Sequence, residues 1–175
     1  MIGFAVRASF GVFQIPIQED FGWLRSDFSL AIAIQNLAWG VGQPIFSMIA
    51  EKHGDRKAIF LGSVLYALGL ILSSYAVSPL AHQFLEILVG FGIAGMGFGV
   101  ILAVVGRAVP EKHRSLALGV TTSAGSLGQI LGPPLIEKLL QQMPWQEVFM
   151  VLAMVVLGVM VLLPFIQSQQ KISGT

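Results

Sequence analysis

Apolar and polar positions fall in alternating blocks along this chain. Six apolar segments, at 1–17, 29–50, 58–77, 80–109, 115–136 and 148–166, are separated by short polar turns. The turns read "QEDFGWLRSDFS", "EKHGDRK", Ser78–Pro79, "PEKHR" and the stretch around Pro144 and Trp145, and a polar "QSQQKISGT" closes the chain. Most of these segments approach the ~20 apolar residues that an α-helix needs to cross a bilayer core. The pattern predicts an all-α integral membrane chain of six spans over 1–166, with 167–175 as the start of a cytoplasmic linker or tail. The first segment is short and lacks the cleavage pattern of a secretory signal. It reads as a helix truncated at its start.

One block raises a competing idea. "GFGIAGMGFG" holds Gly90, Gly92 and Gly95 in the G-x-G-x-x-G spacing of dinucleotide-binding loops. That loop needs a strand before it and a polar turn that offers backbone amides to a pyrophosphate. Here the flanks are "LEILV" and "VILAVV", so the motif lies inside an apolar helix. Gly92, Gly95, Gly99, Ala103 and Gly106 step by three and four, which places them on one helix face. Small residues let membrane helices approach closely and gain van der Waals contact. Thr121, Gly125, Gly128 and Gly132 repeat the device in the fifth segment, and Ala33, Asn36, Gly40 and Ser47 do so more weakly in the second.

Composition agrees with the blocks: 55% of residues are hydrophobic and 11% charged, where a soluble domain carries about 25% charged. The net charge of +1 offers no basic face for nucleic acid. Cysteine is absent, which excludes disulfides and thiolate chemistry. Lys52, Arg56, Lys57, Lys112, Arg114 and Lys171 fall in alternate turns and the tail, against Arg25 and Lys138 in the others. This bias puts the former set and both chain ends in the cytoplasm, with Trp23 and Trp145 at the opposite interface. The expected location is a multi-pass position in the plasma membrane.

Charges inside the apolar blocks are the candidate chemistry, because an ionisable group at membrane depth is costly. Arg7 lies eleven residues, or about 16 Å, from Gln18. It reads either as a binder of a substrate carboxylate or as a side chain reaching the cytoplasmic interface. Glu86 could pair with Arg7, carry a coupling proton, or reach the outer headgroups. Arg107 could pair with Glu51 or Asp55 and latch one packing state, or meet lipid phosphate. Gln35, Asn36 and Gln43 read as interhelical hydrogen-bonders. Pro133 breaks a backbone hydrogen bond and is expected to bend its helix. His53, His82 and His113 are scattered, so no metal site is expected. Ser123 and Ser126 lack a nearby histidine and acid, and neither an enzyme nor a cofactor is indicated.

The loops carry a resemblance. "SMIAEKHGDRK" is similar to the signature between the second and third helices of the major facilitator superfamily, commonly G-x-L-A-D-R-x-G-R-R. Glu51, Lys52, Gly54, Arg56 and Lys57 match it, while Ser47 replaces its first glycine. The fifth segment resembles the G-x8-G-x3-G-P-x2-G-G pattern of antiporter branches at Gly119, Gly128, Gly132 and Pro133, but Ile136 and Glu137 replace the closing pair. "PEKHRSLALG" is similar to the fourth-to-fifth turn, with Pro110, Arg114 and Gly119 in place. Glu86 stands where many members carry an arginine. "FGVFQIPIQEDFGWLRSDFSLAI" looks like the turn between the first two helices of monocarboxylate and oxalate–formate carriers.

The resemblance implies the N-terminal six-helix half of a facilitator, built as two inverted three-helix repeats. It implies secondary transport of small organic anions such as monocarboxylates, by rocking against a second six-helix half. That second half would lie in the full chain or in another copy, and the 175 residues read as a partial reading frame. The alternatives are a self-pairing half-transporter or a scaffold, although a scaffold has no need of the charged 51–57 turn. The expected partners are thus a small-molecule substrate, the lipid bilayer and a second half. Expected substrate or coupling residues are Arg7 and Glu86. The latch set is Glu51, Lys52, Gly54, Asp55, Arg56, Lys57, Arg107 and Arg114, and the packing set is Gly92, Gly95, Gly99, Gly119, Gly128, Gly132 and Pro133.

Overall fold

The computed structural model describes residues 2–165, which are almost wholly helical with no strand among them. The polar tail at 167–175, with Lys171, lies outside the described residues. The first rod is α1 (Ile2–Ala8), a 3-10 turn at Phe10–Phe13, and α2 (Gln14–Phe21). Pro16 has no N–H to offer the Val12 carbonyl, so the helix is re-wound just before it. Gly22, at φ 66°, ends α2 in the left-handed conformation that glycine tolerates.

α3 (Arg25–His53) starts where the Asp27 carboxylate accepts a hydrogen bond from the Leu24 N–H at 3.1 Å. Gly54, at φ 96°, separates it from α4 (Asp55–Ser73). Ser78 caps the next helix by accepting from the Ala81 N–H, with Pro79 in the first turn, where its missing donor costs nothing. The predicted fourth span then differs from expectation. It is two helices, α5 (Pro79–Met96) and α6 (Phe98–Ala108), parted by extended backbone at Gly97. α7 (Glu111–Leu140) instead runs on through Pro133 and Pro134. α8 (Trp145–Gly158) continues into a 3-10 segment at Val159–Phe165.

The rods pack in a pattern that respects an internal two-fold relation. α5 is wedged between α3 and α4, α1 lies on α7, and α4 lies on α8. Exchanging each rod with the one three further along maps the second-to-fourth contact onto the fifth-to-first and the third-to-sixth onto itself. The extensive third-to-fourth contact has only a slight counterpart between the sixth and the first, so the relation holds in part; it is in keeping with two three-helix repeats.

Three stretches are long and apolar enough by themselves to cross a membrane: Asp55–Ser73, Pro79–Ala108 and Trp145–Pro164. α3 and α7, at 29 and 30 residues, are also long enough but more polar. In α7 the hydroxyls of Thr121, Thr122 and Ser126 donate to carbonyls one turn back. A hydroxyl satisfied on its own helix needs no water.

Helix backbones approach closely at the buried glycines. A Cβ on Gly92 would lie 2.5 Å from the Tyr66 Cα, and one on Gly95 2.6 Å from the Gly62 Cα. A Cβ on Gly125 would meet the Phe98 ring, one on Gly132 the Ala5 backbone, and one on Gly99 the Gln43 side chain. Gly128 is buried as well.

Two expectations need correction. Gly106 and Gly119 have nothing within 4 Å; the α6–α7 contact is made further from their turn, through Phe98 and Gly125. The buried face of α3 is Ala31, Gln35, Ala38, Gly42, Phe46 and Ala50, not the seam of Ala33 and Gly40, which are exposed. α5 approaches that other side, where a Cβ on Gly42 would stand 2.7 Å from the Ala94 Cβ.

Candidate functional site: a buried polar track and an ion pair at one end

Polar side chains inside the bundle are strung between α1, α3, α4 and α5. The Arg7 Nη2 donates to the Asn36 Oδ1 at 2.6 Å, and its guanidinium lies 4.4 Å over the Trp39 ring. One residue earlier on α3, the Gln35 Nε2 donates to the Glu86 Oε2 at 2.6 Å. His82 sits one turn from Glu86 on α5, with 3.6 Å between its Nε2 and the Glu86 Oε1. The Tyr66 hydroxyl, fully buried on α4, donates to the Gly3 carbonyl at 3.2 Å. Arg7 and Glu86 are thus not bonded to each other. Each is held by its own amide side chain of α3, so Gln35 and Asn36 act as interhelical hydrogen-bonders, as their residue type indicates.

Several polar atoms along this track are buried with no hydrogen-bond partner: the Arg7 Nε, the Trp39 Nε1, the His82 Nε2 and the Glu86 Oε1. An unmet buried polar group costs about 1–3 kcal/mol. Their clustering marks this region as built for something more than packing. Sequence reasoning did not single out Trp39 and His82 as members. The one available signal was that both share a helix face with the polar residues Asn36 and Glu86, at spacings of three and four.

At one end of the bundle the Arg107 guanidinium forms an ion pair with the Asp55 carboxylate. Asp55 is 7% exposed and Arg107 40%. The Arg56 guanidinium donates to the Pro164 carbonyl at 3.0 Å. The turn around Gly54 is thereby tied to α6 and to the end of the last rod. Glu51, Lys52, Lys57 and Arg114 are exposed. At the opposite end the Trp145 indole N–H donates to the Asp20 carboxylate at 2.5 Å, and Phe21 stacks on Trp23.

The Asp55–Arg107 pair permits a double-mutant cycle. Arg107→Gln is expected to lower stability by no more than about 1 kcal/mol, since one partner is solvated. Asp55→Asn is expected to cost more, because it also removes a carboxylate from the first turn of α4, where the helix dipole favours it. Thermal unfolding in detergent checks this: the double variant should match Asp55→Asn alone, and additive losses would mean that the pair is not coupled.

No group of three or more metal-ligating side chains occurs among the described residues. A shallow concavity along Ser115, Gly119, Ser123 and Leu127 is lined by α7 alone. The polar track is therefore the candidate site.

Known proteins share this arrangement of sequence. Monocarboxylate transporter 13 of Bos taurus is 34% identical over 152 residues, 82% of this chain and 33% of that protein. A probable sulfoacetate transporter of Cupriavidus necator is 26% identical over 157 residues, 90% of this chain and 36% of that protein. Monocarboxylate transporter 12 of Homo sapiens is 31% identical over 159 residues, 90% of this chain and 30% of that protein. The chain spans about a third of the length of the curated relatives it matches. The sequence profile of the Major Facilitator Superfamily matches residues 1–172. Matched by that profile over nearly its whole length and built of apolar rods, the chain is a multi-pass integral membrane protein that belongs to the Major Facilitator Superfamily.

Proposed function

We propose that this chain forms one half of a secondary carrier of small organic anions, working by alternating access against a second six-helix half. The observation that carries the reading is the pair of buried, unpartnered N–H donors at the Arg7 Nε and the Trp39 Nε1. The guanidinium lies over the indole, so both donors belong to one locus. A carboxylate or sulfonate would supply the missing acceptors, and a guanidinium binds such oxyanions in fork geometry. The relatives named for monocarboxylates and sulfoacetate support the same chemical class. A scaffold has no use for buried donors without acceptors.

Alternating access then assigns roles to the two ends. The Asp55–Arg107 pair and the Arg56 contact hold one packing state of the half, and a second half supplies the opposite wall of the substrate path. The end that carries Asp55, Arg56 and Arg107 faces the cytoplasm of a cell whose plasma membrane holds the carrier, in keeping with the excess of lysine and arginine there.

The test is uptake into proteoliposomes by the complete carrier, with radiolabelled short monocarboxylates and sulfonates compared with their uncharged amides. Anion uptake with the amides left outside is the expected result. Equal uptake of both, or of neither while a cation is carried, overturns the reading.

A further inference from the structure

The second pair of unpartnered atoms lies away from Arg7. His82 stands in the first turn of α5, covered by the Trp23 ring at 5.7 Å and stacked on the Phe28 ring at 6.0 Å. Its Nε2 and the Glu86 Oε1 point at each other across 3.6 Å, and neither has a hydrogen bond. Glu86 is wholly buried and His82 2% exposed. An approach of about half an ångström would convert the gap into a normal hydrogen bond, donated by a neutral imidazole that carries its N–H on Nε2 or by an added proton on either group.

We infer that His82 and Glu86 form a single proton-binding site beneath Trp23. Without that proton the pair holds a net negative charge in an apolar interior. With it, the pair is neutral, as carboxylic acid and imidazole or as carboxylate and imidazolium. Burial disfavours a net charge, so the one-proton state is the stable one.

The groups facing the pair are few. From α3 there is Gln35, which bonds the other Glu86 oxygen, and Asp27, whose carboxylate accepts from the Leu24 N–H. From α4 there is Tyr66, which lies within the electrostatic reach of both Glu86 and Arg7. From α1 there is Arg7, held on Asn36. α6 bears its single ionisable residue, Arg107, at the far end of the bundle. On the turn that carries Trp23, Glu19, Asp20 and Arg25 are exposed. An anion bound on Arg7 offsets the positive charge that reaches the track through Tyr66, so anion and proton favour each other's binding; this last step rests on the carrier reading, whereas the proton site does not.

The experiment reads proton binding directly on the reconstituted chain, without transport, so its failure is distinct from failed uptake. Infrared difference spectra across a pH series should show a buried protonated carboxyl band that is lost in Glu86→Gln. Gln keeps an oxygen acceptor for Gln35. Where the imidazole holds the proton instead, tryptophan fluorescence should show a pH-dependent quench, assigned to Trp23 by its loss in Trp23→Phe and abolished in His82→Gln; the absence of both signals overturns the inference. A carboxyl band that persists in Glu86→Gln overturns the inference. So does a Trp23 quench that survives in His82→Gln, a result that decides the matter even if Glu86→Gln fails to fold.

Discussion

Arg7→Gln should insert and fold but lose anion uptake by roughly a hundredfold, equivalent to about 3 kcal/mol of binding. Truncating one partner of a buried, hydrogen-bonded charge pair costs about 2–5 kcal/mol, and in the carrier proposed above the substrate anion is that partner. The fold loses less. Arg7 contributes one hydrogen bond to Asn36 and a stacked contact with Trp39, worth about 1.5–3 kcal/mol and 0.5–2 kcal/mol respectively. Part of that is returned when a charge no longer has to be held in the membrane interior. Arg7→Lys keeps the charge but not the planar fork, and should fall between the two. The measurement is initial uptake rate in proteoliposomes, normalised to folded protein by size-exclusion profile. Wild-type uptake by Arg7→Gln would remove Arg7 from the anion path.

Much of the fold was legible because hydrophobic blocks and their turns are local features of sequence. Six rods follow from them, and so does the small-residue face of α5, since i+3 and i+4 spacing on one helix needs no knowledge of its neighbour. Choosing between two small seams on α3 does need that knowledge. Ala33–Gly40 and Ala31–Ala38–Gly42 both satisfy the spacing, and the approach of Ala94 on α5 selects the second. The partner face on α4, formed by Gly62 and Gly69, went unread for the same reason.

The break at Gly97 lay hidden in a run of apolar residues and glycines, whereas Pro133 and Pro134, the obvious breakers, sit within a continuous helix. At the site, the cost of burying charge was enough to single out Arg7 and Glu86. Their partners were beyond the reach of sequence, because the bond from Gln35 to Glu86 joins residues 51 apart in the chain. Burial with an unmet hydrogen bond, which identifies Trp39 and His82, is a property that only coordinates carry.

Gly92→Val is the substitution expected to damage the fold most. Its new Cβ would fall 2.5 Å from the Cα, Cβ and N of Tyr66, well inside the 3.5–4.0 Å at which carbon atoms attract. The obstacle is main chain at the middle of a helix, so no rotamer change can relieve it. α4 and α5 must separate by about 1 Å or more. That shift loosens the neighbouring contacts at Gly62–Gly95 and Gly69–Val89, which are equally close. Overpacking a core costs about 1–3 kcal/mol when side chains can adjust, and a backbone clash belongs at or above the top of that range. Separation also draws the Tyr66 hydroxyl away from the Gly3 carbonyl, detaching α1 from α4 near Arg7. Gly106→Ala is the matched control: with nothing within 4 Å it should be neutral, or gain a little from helix propensity. Fluorescence-detected size exclusion after heating checks both, with early loss of the monodisperse peak for Gly92→Val alone. Equal melting of the two variants would mean that the α4–α5 crossing is not held by its glycines.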